Sequence, residues 1–249
     1  MLRRRLTTSN SVARALLFAV CASFIPFAAA AQTCAAPLDR ARRLVLVTAT
    51  SMKATVGTAR LFERASRQDA WRPVAAPETV MLGRTGLAWG LGFHPFASDG
   101  EPKKAEGDGR TPAGIYPIGV SFGFAASPRP GHIRIVRDTV CVDDPASPAY
   151  NSITSRKIVG PKVRGENMRK VWGYRRGLVV DYPTDAGARG GSCIFIHVRR
   201  AGPTAGCVAL PEARVAAWQT FSAPGAVLAT IPEAALARFA GCLPDPAVQ

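Results

Sequence analysis

A histidine and a cysteine stand ten positions apart in the C-terminal third of this chain. His197 closes the apolar run Ile194-Phe195-Ile196, and Cys207 lies in Thr204-Ala205-Gly206-Cys207-Val208 after a Gly/Pro turn. A thiol beside an imidazole, with small residues leaving backbone N–H groups open around the sulfur, supplies the parts of a thiol acyl-transfer site. A free thiol titrates near about 8.5 and is mostly protonated at neutral pH, so a neighbouring base is needed to make it nucleophilic. The oxyanion of a tetrahedral intermediate needs preorganised donors. Ala205, Gly206 and Cys207 are small residues whose amides are the candidates for that support, and Thr204 adds a hydroxyl. The competing reading makes Cys207 a structural cysteine and His197 a satisfied core histidine.

The elements that must position this pair read as short strands. Side chains alternate along a strand, so Cys193, Phe195 and His197 should share one face, with Ile194, Ile196 and Val198 on the other. Cys193 would lie about 13 Å from His197, too far for a nucleophile and its base. The loop Arg199-Arg200-Ala201-Gly202-Pro203 instead lets the chain return with Cys207. Further strands are expected over 43–48, 58–63, 78–82, 114–118, 177–182 and 226–231, from β-branched or alternating runs bounded by Gly and Pro. One helix should begin at Pro211 and carry Val215 and Trp218. The expected fold is mostly β, a sandwich or distorted barrel with one or two short helices.

The N-terminus has a cationic start at Arg3-Arg4-Arg5, an uncharged apolar run from Ala15 and a closing Ala29-Ala30-Ala31. This is the layout of a cleaved secretory signal peptide over residues 1–31. A single domain is expected over 32–249, with its core at about 43–231 and no later transmembrane span. Removal of the signal takes away four arginines and no acid, lowering the formal charge from +15 to +11. The remaining basic residues are scattered without aromatic interleaving, which argues against nucleic acid and suits contact with anionic envelope polymers. Five cysteines would remain, an odd number for an oxidising compartment. The sequence does not fix their connectivity. The pairing taken forward is Cys34–Cys242, tying the ends, and Cys141–Cys193, which leaves Cys207 free. No C-x-x-C pair exists, so neither a dithiol redox site nor a zinc ribbon is indicated, and no metal or cofactor is expected.

Two blocks together resemble the catalytic domain of the L,D-transpeptidases, thiol enzymes that cross-link bacterial peptidoglycan. One is the histidine-ended strand with Thr204-Ala205-Gly206-Cys207-Val208. The other is Gly107-Asp108-Gly109-Arg110-Thr111-Pro112-Ala113-Gly114-Ile115-Tyr116, similar to the family's Thr-Pro-x-Gly element. The resemblance covers roughly 43–231 and implies the family's fold. It also implies Cys207 as nucleophile, His197 as proton acceptor and donor, and the Val198 backbone carbonyl as the group orienting the imidazole. The donor would be a peptidoglycan stem tetrapeptide, the intermediate a thioester, and the acceptor a second stem-peptide amine. Lys104, Arg110 and Thr111 are candidates to bind substrate carboxylates. Ala205 stands where most members have a second histidine, and Ala209 where many have Arg or Asn. Tyr150 and Asn151 are candidates to support the site from behind. Two alternatives use the same residues: an L,D-carboxypeptidase or endopeptidase, and a non-catalytic, disulfide-stabilised envelope-binding module.

Overall fold

Eight strands close on themselves. In this computed structural model, which describes residues 34–222 and 225–245, they are β1 (Arg43–Ala49), β2 (Val56–Glu63), β3 (Glu78–Met81), β4 (Thr111–Gly123), β5 (Arg176–Val180), β6 (Phe195–Val198), β7 (Val208–Leu210) and β8 (Ala226–Pro232). Their order around the ring is β1-β8-β4-β5-β6-β7-β3-β2, and β2 pairs with β1 to complete it. The result is a barrel and not a sandwich. Leu44 to Val47 are fully buried and β8 is buried along its whole length, as strands covered on both faces require. β4 is long enough to serve two neighbours. Its Gly114–Pro117 stretch pairs with β8, and Ile118–Gly123 pairs with β5. Closure leaves none of these eight strands with a free edge.

Helical structure is sparse. Three short α-helices occur where one or two were expected: α1 (Ala36–Arg40), α2 (Arg156–Val159) and α3 (Glu212–Phe221). The additional ones are local turns, α1 started by a proline and α2 capped by Ser155 Oγ, which accepts from the Lys157 N–H. Pro211 caps α3 from just outside it. Val215 and Trp218 enter the main core. Gln219 Nε2 donates to the carbonyls of Gly177 at 2.8 Å and Phe122 at 3.3 Å, fastening α3 to β5 and β4.

Between β4 and β5 the chain makes an excursion, residues 124–175, that carries a small antiparallel sheet of Thr139–Cys141, Ile153–Ser155 and Glu166–Asn167. β6 divides its side chains between two cores. Ile196 and Val198 join the barrel core, whereas Phe195 joins a second cluster with Phe122, Ile135, Met168, Tyr174 and Cys207. The excursion therefore roofs the outer face of β6. Cys193 does not extend that strand as the alternation suggested, because its backbone turns into the left-handed region at φ 56°.

The disulfides are Cys34–Cys242, joining the two ends, and Cys141–Cys193, stapling the excursion to the approach to β6. Cys207 is the free cysteine among the described residues. Two disulfides are what an oxidising compartment preserves. No helix among the described residues is long and apolar enough to cross a membrane, and the expected signal peptide lies outside the described residues. The Cys34–Cys242 bridge spans 208 positions, so its loss frees a long loop in the unfolded chain. Cys34→Ser with Cys242→Ser is expected to lower unfolding stability by about 2–5 kcal/mol in urea titrations. Alkylation of Cys207 in the folded protein should stay unchanged.

Candidate active site

β6 and β7 lie side by side in parallel, with His197 opposite Ala209 and Ile196 opposite Val208. The connection, residues 199–207, is held to the barrel through Thr204. The Arg84 N–H donates to the Thr204 carbonyl, and the Thr204 N–H donates to that of Leu82, both at 2.8 Å. One step back along the register, Cys207 falls beside Phe195, whose N–H donates to the Cys207 sulfur at 3.4 Å. His197 is then the diagonal neighbour, about 8 Å away between Cα atoms from the strand spacings.

Two threonine hydroxyls fix the backbone under the sulfur. Thr204 Oγ1 donates to the Cys207 carbonyl at 2.7 Å and accepts from the Gly206 N–H at 3.0 Å. Thr111 Oγ1 donates to the same carbonyl at 3.4 Å and accepts from the Gly83 N–H at 2.8 Å. Gly206 adopts φ 148°, and a Cβ there would also come within 2.9 Å of the Arg110 carbonyl. Of the three amides expected to serve an oxyanion, that of Gly206 is taken, so those of Ala205 and Cys207 remain.

His197 Nδ1 lies 2.9 Å from the Val198 carbonyl. A carbonyl only accepts, so Nδ1 carries the proton and Nε2 is the basic nitrogen. The turn Trp172–Arg175 packs against the ring. The Tyr174 ring meets it edge-on at 5.2 Å. Gly173 is needed there: a Cβ would sit 2.7 Å from the Val198 oxygen and 2.9 Å from Nδ1.

Cys207 and His197 open onto one cleft of about 570 Å³. The sulfur is at its floor, the residue only 6% exposed. Burial pushes the Cys207 thiol up to about 12. The Glu166 charge adds to this, while the Phe195 N–H, the Tyr174 hydroxyl and Lys104 act in the opposite sense. Burial likewise lowers the pKa of His197, against the pull of its bond to Val198. At neutral pH the site therefore rests as a thiol and a neutral imidazole, not as a thiolate–imidazolium pair.

The cleft also brings in Thr204, Ala205, Gly206 and Lys104. Lys104 is nearly buried, its Nζ donating to Asp108 Oδ1 at 2.6 Å and to the Ala105 carbonyl at 2.7 Å. Arg110 and Thr111 do not line it: the Arg110 guanidinium donates to the Leu87 carbonyl at 3.0 Å, and Thr111 is buried under Cys207. Asn151 Oδ1 accepts from the Cys193 N–H at 2.9 Å, and Tyr150 donates to Glu106. Sequence reasoning missed Arg84, Arg200, Glu166 and Tyr174, all on the cleft wall. The one available signal was Gly173-Tyr174 just ahead of β5, a glycine permitting close approach followed by an amphipathic ring.

No protein-family model, curated protein or solved structure matches this chain.

The buried thiol has a consequence for stability. The unfolded thiol ionises near about 8.5, whereas the folded one holds its proton up to about 12. Above pH 8.5 the unfolded state binds fewer protons, so stability falls with rising pH across that window. Relative to Cys207→Ala, the wild type should lose about 2 kcal/mol between pH 8 and pH 10, read from paired urea titrations. Parallel curves for the two proteins would refute this.

Proposed function

We propose that this chain is a cysteine acyltransferase of the cell envelope, a peptidoglycan L,D-transpeptidase with Cys207 as nucleophile and His197 as base. The observation that carries the reading is the free thiol of a disulfide-bonded fold, set at the floor of a cleft beside a histidine whose tautomer is fixed by Val198. The resemblance of the Thr111-Pro112 and Thr204–Val208 blocks to the family's motifs supplies the substrate class. In the barrel these blocks meet, because Thr111 Oγ1 donates to the Cys207 carbonyl.

The chemistry follows from the resting state. A neutral thiol attacks the carbonyl of a stem-peptide bond to D-Ala while His197 Nε2 takes its proton. The sulfur–carbon bond forms, and the oxyanion meets the remaining amides of the Ala205–Cys207 turn. The tetrahedral intermediate collapses to a thioester, the carbon–nitrogen bond breaks, and the imidazolium returns the proton to the departing D-Ala amine. A second stem-peptide amine then attacks the thioester, losing its proton to His197 and restoring the thiol. Arg84 and Arg200 give the cleft cations for substrate carboxylates, a role that Ala209 lacks the charge to play and that Lys104, held by Asp108, is not free to take. The two disulfides and the scattered positive charge suit a periplasmic setting among anionic polymers.

Mass spectrometry of the protein incubated with disaccharide-tetrapeptide should show cross-linked dimer with loss of D-Ala. Cys207→Ala should abolish it, and His197→Ala should slow it about 10²–10⁴-fold. Trimmed tripeptide without dimer would make the enzyme a hydrolase on the same site. No turnover in the wild type would favour the binding module.

A further inference from the structure

Beside the loop that follows β6 lies a second, shallow hollow that the acyl-transfer steps do not use. Met81, Trp172, Arg199, Arg200, Ala201 and Gly202 line it, and Arg200, Ala201 and Gly202 also line the Cys207 cleft. The two are therefore continuous along one loop. Trp172 is the one aromatic among the exposed large apolar side chains of the described residues, at 44%. Folding buries most rings of that size, so an open one beside a cleft marks a contact surface. It is also held in place. The Arg175 guanidinium lies 4.8 Å from the centre of the Trp172 ring, and Arg175 Nε pairs with Glu212 Oε1 at 3.2 Å. Arg199 and Arg200 are exposed, and neither pairs with an acid among the described residues.

We propose that this hollow binds the glycan of the donor, with Trp172 as a stacking platform for a sugar ring and Arg199 and Arg200 as donors to the sugar's oxygens. The inference rests on the peptidoglycan reading and narrows it: the donor is a glycan-linked stem and not a free peptide. A sugar offers a C–H face to an indole and a rim of hydroxyl and amide oxygens to guanidiniums, which donate and never accept. A lipid would ask for a broad apolar surface, whereas Trp172 and Met81 are the only large apolar side chains lining this one. The spacing fits. His197, Ala209 and Met81 stand opposite one another on β6, β7 and β3, which places the Met81 Cα about 10 Å from that of His197. Loss of the fourth stem residue puts the attacked carbonyl on the third. The sugar then begins three residues back, about 10 Å along an extended chain. Trp172 touches no reacting atom, so it is a binding residue.

Two measurements test this. In the first, a neutral N-acetylglucosamine disaccharide, which carries neither peptide nor carboxylate, is titrated into the protein while tryptophan emission is followed. A saturable change in the wild type that is absent in Trp172→Phe is expected, because only that indole is open to the ligand. In the second, KM is compared for disaccharide-tetrapeptide and for the same tetrapeptide without sugar. The wild type should favour the glycan-linked donor by about five- to tenfold, the worth of one ring contact. Trp172→Ala should remove that preference. Equal KM values in the wild type, or a preference that survives Trp172→Ala, would overturn the proposal. So would emission that ignores the disaccharide but responds to polyphosphate, which would make the hollow a polyanion site. If Trp172→Ala fails to fold by circular dichroism, the titration decides alone. If neither donor gives product, the acyl-transfer reading falls, and the titration still decides the sugar platform.

Discussion

Everything in the site depends on two parallel strands lying side by side in one register. β6 and β7 place His197 opposite Ala209, which sets Cys207 beside Phe195 and one diagonal step from the imidazole. A slip by one residue would turn the histidine into the barrel core and Ile196 into the cleft. The barrel prevents that slip, because Ile196, Val198, Val208 and Leu210 are all committed to the main core. Packing inside the ring thus sets chemistry outside it. The helix α3 adds to this indirectly, by tying β4 and β5 through Gln219.

The excursion over 124–175 supplies what the barrel lacks. Without it β6 would present Phe195 and His197 to water, and Cys207 would be an ordinary exposed thiol. Roofed over, the sulfur is desolvated and both it and the imidazole stay neutral. Desolvation strengthens each remaining interaction there, so one N–H from Phe195 or one hydroxyl from Tyr174 counts for more than it would at a surface. The Cys141–Cys193 staple fixes this roof at the point where the chain turns, with positive φ, into the strand that carries the histidine.

Much of this arrangement was legible in the residues. The continuous apolar runs of β1 and β8 announced buried strands, and the odd cysteine count singled out one thiol. The Gly/Pro loop before Thr204 implied that the chain returns toward His197. Other features were hidden because they depend on contacts across long stretches of chain. Glu166 reads as one more surface acid until the excursion folds it under Tyr174. Thr111 reads as a contact for substrate until its hydroxyl is seen beneath the backbone of Cys207, 96 positions away. Arg110 looked like a free cation, yet Leu87 takes its guanidinium. The choice between the two expected forms, sandwich or barrel, could not be read either, since closure rests on the pairing of β1 with β2 on one side and β8 on the other.

The Cys34–Cys242 bridge has a mechanical meaning. Residue 34 precedes the first barrel strand and residue 242 follows the last, so tension applied to the chain beyond these two points is carried by a covalent bond between them. The ladder joining β1 to β8 bears none of that load. A pull along the polypeptide would stretch whatever lies outside the bridge while the cleft keeps its shape.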